Sequence, residues 1–456
     1  MAHRPKWSNQ LEFFISCLGA VVGLGNFWRF PYLAVRNGGA LFFLLVPCII
    51  IIIVVGFPVV YLEMAIGQFA FLAPPQALSK LTPILSGIGW SIFVTTFIVS
   101  VYYCRIISLT LYYAWRSAVA MSASGDGRLP WESCNVTKAW GGFGCLDGAQ
   151  WMDRLGMSPA ANFYRYADGR SNRAGDPIIG PPQIHLIACL AVCWLLVFCC
   201  LFKGVRSLGK AMYLLIIVPY AAMTLLFVRA VTLHGAFDGI TFYLAGFEHR
   251  ARFLFLTDLE TWKNALAQIF YSLSLGVGVI LTLASYNRCD SNIARHSILL
   301  VVLNSLSSFL FGVVVYALLG FSVRQISTDG AAMPHLLQML PTSGQGLVYI
   351  SLAPTLIQLP YSAVWATLLY GTLFLLGLGT QVAMVEVVVS VIADQWTSLQ
   401  STIRRTLLVA VVCVVSLLAG IGLATVDARE IIDLLDRHAG GFAPTVICFL
   451  EVWLLL

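Results

Sequence analysis

The chain has 456 residues, of which 59% are hydrophobic and only 11% are charged. A soluble chain would carry charge on about a quarter of its residues, so this composition excludes a soluble globular protein and predicts a polytopic helical membrane protein. The formal net charge of +6 decides little, because in such a protein the placement of Lys and Arg matters more than their sum.

Apolar stretches recur along the whole chain, and each is long enough to cross a bilayer at roughly 20 residues per helix. In chain order they cover residues 11–33, 41–69, 86–121, 184–202, 210–233, 260–287, 296–322, 359–395, 404–424 and 428–456. Several exceed the bilayer thickness and must tilt or extend into water. The sequence therefore predicts one all-α transmembrane domain over residues 1–456, with about ten spans.

Basic residues near the ends of the spans predict its orientation. They precede the first span, follow the second and sixth, separate the fourth from the fifth and precede the ninth: His3, Arg4, Lys6, Lys80, Lys203, Arg206, Lys210, Arg288, Arg295, Arg404 and Arg405. Such loops are cytoplasmic in most membrane proteins, which places the amino terminus inside the cell and the polar segment of about 122–183 outside it. In that oxidising environment Cys134 and Cys145 are expected to form a disulfide, and the sequon at Asn135 predicts glycosylation.

Two of the spans contain glycine-rich interruptions. The first lies between Gly19 and Asn26, and the second lies between Ser272 and Gly278. Lipid does not tolerate unpaired backbone groups unless they line a cavity or bind something. Because the interruptions occupy corresponding places in the two halves of the chain, they predict a solute site near the bilayer midplane.

Several motifs, taken in order, carry a resemblance to a known family. The first span contains Gly23-Leu24-Gly25-Asn26-Phe27-Trp28-Arg29-Phe30-Pro31-Tyr32 followed by Asn37-Gly38-Gly39; later come Glu63-Met64-Ala65-Ile66-Gly67-Gln68, Leu129-Pro130-Trp131-Glu132-Ser133-Cys134, Gln268-Ile269-Phe270-Tyr271-Ser272-Leu273 and Ala284-Ser285-Tyr286-Asn287. Together they closely resemble the sodium-coupled neurotransmitter and amino acid symporters, solute carrier family six. Single short motifs match by chance, but an ordered set over the whole chain does not.

This resemblance implies an architecture of inverted five-helix repeats, in which helices one and six are broken. The first repeat would cover about 11–233 and the second about 260–456. The family normally has twelve spans, whereas this sequence stops at Leu456, inside the tenth.

The substrate site implied by the resemblance surrounds the interruption in the first span. A carboxylate in a poorly solvated site needs oriented donors, and the backbone amides of Leu24 and Gly25 can provide them where the helix is broken. The hydroxyl of Tyr103 matches a donor of the family, although by itself this residue would be interpreted as a packing tyrosine. Gly23 stands where monoamine carriers hold an aspartate, and it leaves room for the carboxylate of an amino acid.

The subsite for the substrate side chain contains no formal charge. It would be lined by Val99, Tyr271, Ser274, Val277 and Met384. Valine at 277, where relatives often have Phe, enlarges the pocket, and neutral amino acids fit it best. Arg105 departs from the family pattern: it could pair with a buried carboxylate, extend towards water, or contact a second anionic group.

Sodium is a hard cation that prefers oxygen ligands. The resemblance implies a first site made of the side chains of Asn26, Ser272 and Asn304, the Val21 carbonyl and the substrate carboxylate. A second site would combine the carbonyls of Gly19, Val22 and Leu376 with the Thr380 hydroxyl. Gly379 replaces a side-chain ligand of some relatives and weakens this second site. The alternative for Asn26 and Asn304 is hydrogen bonding between helices.

Chloride-dependent relatives hold the anion with a tyrosine in span two and with polar side chains in spans six and seven. The matching polar residues here are Gln268, Ser272, Asn304 and Ser308. Allowing for a two-residue insertion just before it, Cys48 occupies the tyrosine position, and a thiol is a poorer donor than a phenol. The sequence therefore predicts that chloride coupling is doubtful.

Charged residues at both ends of the proposed pathway suggest gates. The outer pair would be Arg29 and Asp436, and the inner pair Arg4 and Asp394, supported by Trp7 and Tyr286. Isolated charges in such places are costly, so pairing is expected. The alternative is that these pairs are static structural bridges.

The sequence thus predicts a plasma-membrane symporter that couples sodium to the import of neutral amino acids by alternating access. It contains no nucleophile–base pair or metal cluster that would indicate an enzyme. The alternative is a truncated member of the family that does not transport and acts as an interaction or regulatory protein. The intact site residues favour transport, whereas the missing spans favour the alternative.

Overall fold

A computed structural model describes residues 5–122, 128–134, 145, 158–169, 180–246, 254–326, 344–425 and 428–455. These residues are almost entirely helical, apart from an isolated antiparallel bridge between Pro182 and Thr425. The predictions for Arg4 and Asn135 fall outside the described residues.

The described helices fall into two halves of the chain. The first half contains α1 (Gln10–Val21), α2 (Leu24–Arg36), α3 (Ala40–Ala70), α4 (Pro74–Leu81), α5 (Ser86–Ser122), α6 (Pro159–Asp168), α7 (Ile184–Leu201), α8 (Val205–Val231) and α9 (Ala236–Ala245). The second half contains α10 (Leu259–Ser272), α11 (Val279–Ala284), α12 (Ile293–Ile326), α13 (Leu347–Ile357), α14 (Ser362–Gln395), α15 (Thr402–Ile421), α16 (Arg429–Leu435) and α17 (Ala443–Leu455).

Seven helices in the described part of the chain are long and apolar enough to cross a membrane, and the bent pair α1–α2 makes an eighth span. Helices α10 and α11 occupy the predicted sixth span. The predicted tenth span consists of α16, a π-helical turn over Asp436–Phe442, and α17. Large apolar side chains such as Ile217 on α8 are exposed, as expected for faces that meet lipid. The chain is therefore a polytopic helical membrane protein, as its composition predicts.

The first span breaks where its glycines lie. Helix α1 ends at Val21 and α2 begins at Leu24, and the two axes differ by 52°. Glycine is a poor helix former, and the new helix is capped by its own sequence, because the Gly23 N–H donates to the Asn26 Oδ1 at 3.4 Å.

The sixth span breaks over residues 273–278. Ser274, Gly276 and Gly278 have φ values of 52°, 71° and 67°. A left-handed conformation costs little for glycine but is strained for serine. Each predicted interruption is thus a real break in a helix.

Side chains from neighbouring spans satisfy the backbone of the second break. The Gly276 N–H donates to the Glu63 Oε1 at 2.9 Å, and the Thr96 hydroxyl donates to the Val277 carbonyl at 2.7 Å. An unsatisfied backbone group would cost several kcal/mol in the membrane interior. The Glu63 motif in α3 therefore stabilises the break in another span.

Helix α14 is the most buried of the long spans in the described part of the chain, since 83% of its most apolar stretch lies inside the protein. It packs along α5 and also contacts α1 and α8. Because it runs through the centre of the bundle, its residues Leu376, Thr380 and Met384 can reach both the break in span one and the cavity described below.

The loop between spans three and four is attached to the bundle at several points. Cys134 and Cys145 form a disulfide. Trp131 is fully buried, and its indole N–H donates to the Ala353 carbonyl at 3.1 Å. Its ring packs against Tyr113 and Tyr370.

Candidate functional site: a cavity between two broken helices

A cavity of about 60 Å³ lies where the two breaks face each other. All nine residues predicted for the substrate line it: Gly23, Leu24, Gly25, Val99, Tyr103, Tyr271, Ser274, Val277 and Met384. The wall also includes Val21, Asn26 and Thr380 from the predicted sodium sites, and Phe270, Leu275, Gly440 and Pro444, which sequence reasoning missed. Gly440 and Pro444 belong to span ten, whose position in the bundle no local motif indicates.

Two glycines of the first break allow close approach of neighbouring side chains. A Cβ atom at Gly23 would lie 2.7 Å from the Thr380 Oγ1 and 3.1 Å from the Tyr103 hydroxyl. A Cβ atom at Gly25 would lie 2.5 Å from Cε1 of the Tyr271 ring. Ordinary carbon contacts are at about 3.5–4.0 Å, so any larger residue at either position must displace the cavity wall.

Tyr103 faces the amino-terminal end of α2. The Leu24 N–H donates to its hydroxyl at 3.5 Å. Unpaired amides at a helix start attract negative charge. The Tyr103 hydroxyl and the first amides of α2 therefore form a set of donors for an anionic group in the cavity.

Four of the five side chains predicted to contact sodium or chloride in spans one, six and seven form a single buried network. Asn26 Nδ2 donates to Asn304 Oδ1 at 2.7 Å and to the Ser308 hydroxyl at 2.9 Å, and Asn304 Nδ2 donates to the Ser272 hydroxyl at 2.6 Å. The network provides amide and hydroxyl oxygens beside the cavity, which suits a hard cation.

The residues of the predicted second sodium site lie on α14 and at the end of α1. A Cβ atom at Gly379 would lie 2.8 Å from the Gly19 carbonyl oxygen, so the two backbones are in close contact. The next residue, Thr380, has its hydroxyl beside Gly23. Leu376 lies one turn before Thr380, and Val22 directly follows the last residue of α1.

Gln268 is buried, and neither its Oε1 nor its Nε2 has a hydrogen-bond partner. It lies one helical turn before Ser272 on α10. A buried amide without a partner costs about 1–3 kcal/mol, so this position is suited to a ligand. Cys48 is buried at the end of a π-helical turn, Leu44–Cys48. This turn lies where the sequence analysis allowed for a two-residue insertion relative to the family.

The proposed outer gate differs from the prediction. The Arg29 guanidinium stacks over the Tyr271 ring, 4.6 Å from its centroid, and the Tyr102 hydroxyl donates to Asp436 Oδ1 at 3.0 Å. Both charged residues are described, and they form no ion pair with each other. Arg29 instead contacts the Tyr271 ring in the cavity wall, and Asp436 contacts the Tyr102 hydroxyl.

The predicted inner gate is described except for Arg4. Trp7 donates its indole N–H to the Leu283 carbonyl at 2.9 Å and packs edge-on against Tyr286. Tyr286 in turn donates to Glu386 Oε1 at 2.7 Å, and Arg405 forms an ion pair with the same carboxylate. From the sequence alone, Arg405 indicates only the orientation of the protein in the membrane. No local signal indicates that this residue pairs with Glu386.

Asp394, the predicted inner partner of Arg4, accepts a hydrogen bond from the Ala73 N–H at 2.7 Å. This contact holds the start of α4 against the end of α14.

Arg105 has a clear partner. Its Nη2 lies 3.0 Å from Asp168 Oδ1, and each side chain is only 3% exposed. Of the alternatives that the sequence leaves open, the structure selects the buried carboxylate. Asp168 ends α6, in the loop whose fold the sequence alone does not indicate.

A small cavity between two broken membrane helices, with donors on one side and a network of amide and hydroxyl oxygens on the other, defines a secondary transporter for a small solute.

Comparison with known proteins gives the same class. Residues 4–455 match the model of the Sodium:neurotransmitter symporter family. The chain is 32% identical over 467 residues to the Sodium- and chloride-dependent glycine transporter 1 of Xenopus laevis, covering 97% of this chain and 70% of the relative. It is also 32% identical over 445 residues to the Sodium- and chloride-dependent GABA transporter 2 of Rattus norvegicus, covering 96% and 70%.

The chain therefore belongs to the sodium:neurotransmitter symporter family. It is a sodium-coupled symporter of a small molecule, and a transporter rather than an enzyme, as the sequence motifs indicate.

Proposed function

We propose that this symporter imports small neutral amino acids across the plasma membrane, with its amino terminus in the cytoplasm. The observation that supports this most is the wall of the cavity, in which no residue carries a formal charge. A charged substrate side chain would be buried without a partner, which costs several kcal/mol.

A zwitterion, by contrast, is neutral overall and suits the two broken helices. Its carboxylate would contact the first amides of α2 and the Tyr103 hydroxyl, and its ammonium would face the carbonyl ends of α1 and α10. Sodium in the Asn26–Asn304 network would complete the charge balance beside the carboxylate. The small cavity volume favours a compact substrate, and the glycine and GABA named in the two relatives are both small amino acids.

Chloride is the second ion of the proposal. The prediction that chloride coupling is doubtful is not supported by the comparisons, because the names of both relatives include chloride. We propose that chloride binds at the partnerless amide of Gln268 together with the hydroxyls of Ser272 and Ser308. With Cys48 in place of a phenol, this shell has one strong donor fewer, and chloride affinity is expected to be low.

Uptake by cells or liposomes containing the protein tests the proposal. Labelled glycine, GABA, alanine and leucine are compared in a sodium gradient and in choline. Sodium-driven accumulation of at least one small neutral amino acid is expected. If none of these substrates accumulates although the protein is correctly inserted, the proposal is refuted and the non-transporting alternative is favoured.

A further inference from the structure

Five polar side chains meet on the side of the membrane that holds α6, proposed above to be the extracellular side. Arg105, Tyr164, Asp168, Gln345 and Arg429 form what we call the outer cluster. Arg105 and Arg429 each lie 3.0 Å from a different oxygen of the Asp168 carboxylate. Arg429 also donates to the Tyr164 hydroxyl and, at 3.0 Å, to Gln345 Oε1.

The outer cluster is largely removed from water. The side chains of Arg105 and Asp168 are each 3% exposed, and that of Arg429 is 17% exposed. Two guanidinium groups share one carboxylate, so removal of Asp168 would leave the buried Arg105 without its ion-pair partner. Surface ion pairs contribute little by comparison.

The outer cluster connects four separate parts of the chain. Arg105 lies on α5, Tyr164 and Asp168 on α6, and Gln345 in the connection between spans seven and eight. Arg429 is the first residue of α16 and therefore of span ten. Arg105 also donates to the Leu423 carbonyl at the end of span nine, at 3.1 Å. Arg429 thus connects span ten to α6 and to Gln345.

Span ten continues from Arg429 into the cavity wall. Asp436 lies seven residues further on, about 10 Å along the helix, and Gly440 and Pro444 line the cavity itself. Helix α5 contacts span ten at two levels: through Tyr102 and Asp436, and through Arg105 and the shared Asp168. A shift of Arg429 would therefore move one wall of the cavity.

We propose that the outer cluster holds span ten against α6 and Gln345 and stabilises the closed outer state of the transport cycle, with Arg429 as its central positioning residue. This inference rests on the proposed transport function. When the outer cluster breaks, the cavity opens to the outer solution.

The test measures how fast a reagent in the outer solution reaches the cavity. Val277→Cys places a thiol in the cavity wall, and a membrane-impermeant methanethiosulfonate reagent labels it in sodium without substrate. The parent chain without this substitution gives the background from the native cysteines. Labelling is counted per molecule at the cell surface, so a change in expression alone does not alter it.

Arg429→Gln is the main variant, because it keeps a polar side chain beside Tyr164 and leaves the Arg105–Asp168 pair intact. We expect labelling to be about tenfold faster, and Asp168→Asn to have an equal or larger effect. Arg429→Lys keeps the charge but loses the planar fork, so it should restore most of the slow rate. The matched control is Asp238→Asn, which removes the exposed 3.9 Å pair with Arg324 and should change nothing.

Labelling rates equal to that of Val277→Cys alone, when Arg429→Gln or Asp168→Asn is added to it, would overturn the inference. If Arg429→Gln does not reach the surface, Arg429→Lys is compared with Asp238→Asn. Because lysine makes fewer hydrogen bonds than arginine, Arg429→Lys should still accelerate labelling about twofold, whereas Asp238→Asn should not. The assay needs no transported substrate. Absence of uptake by the parent chain would therefore refute the proposed function, whereas unchanged labelling would refute the outer cluster.

Discussion

Replacement of Gly25 by Ala tests whether the contact between the broken first helix and Tyr271 shapes the substrate site. The added Cβ would lie 2.5 Å and 2.8 Å from two carbons of the Tyr271 ring. Since ordinary contacts are at about 3.5–4.0 Å, the ring must retreat by about 1 Å or more. Inserting a methyl group into a packed site costs about 1–3 kcal/mol.

A displacement of about 1 Å at a positioning contact can reduce rates roughly 100-fold. We therefore expect Gly25→Ala to reduce sodium-driven uptake efficiency roughly 10- to 100-fold, mainly through a higher KM. The control is Gly371→Ala on α14, where a Cβ atom meets nothing within 4 Å and uptake should change less than about twofold.

A second variant separates the clash from loss of the helix break. Tyr271→Leu removes the two ring carbons that the new methyl group would meet, so the double variant Gly25→Ala/Tyr271→Leu should retain more uptake than the two single losses predict. Normal KM in Gly25→Ala at normal surface expression would refute the reasoning, because the ring would then not be held against the backbone of Gly25.

Three further results are expected from uptake measurements. Asn26→Ala should raise the half-saturating sodium concentration at least about tenfold, since it removes the centre of the polar network; unchanged sodium dependence would exclude Asn26 from the site. Cys48→Tyr should lower the half-saturating chloride concentration by supplying a phenol, and a parent chain indifferent to gluconate replacement would contradict the chloride proposal. Reversing the charges of Arg29 and Asp436 together should recover part of the uptake that each single reversal loses, because the double change restores opposite charges at the two positions; strictly additive losses would argue that they never touch.

The sequence alone determined the class of the protein and the location of its candidate site. Apolar spans of membrane length predict helices reliably, because lipid leaves the backbone no other way to satisfy its hydrogen bonds. The same constraint makes Gly19–Asn26 and Ser272–Gly278 conspicuous, and the structure breaks both helices there and places all nine predicted substrate residues around one cavity.

Only the tertiary structure decided which distant groups are partners. Arg105 needed a carboxylate, but Asp168 lies 63 residues away on a short loop helix, and Arg405 meets Glu386 across two spans. Arg29 and Asp436 were expected to pair, yet they contact Tyr271 and Tyr102 instead. The physical reason is that local composition fixes the conformation of the backbone, whereas side-chain pairing depends on distances between helices that no local pattern encodes.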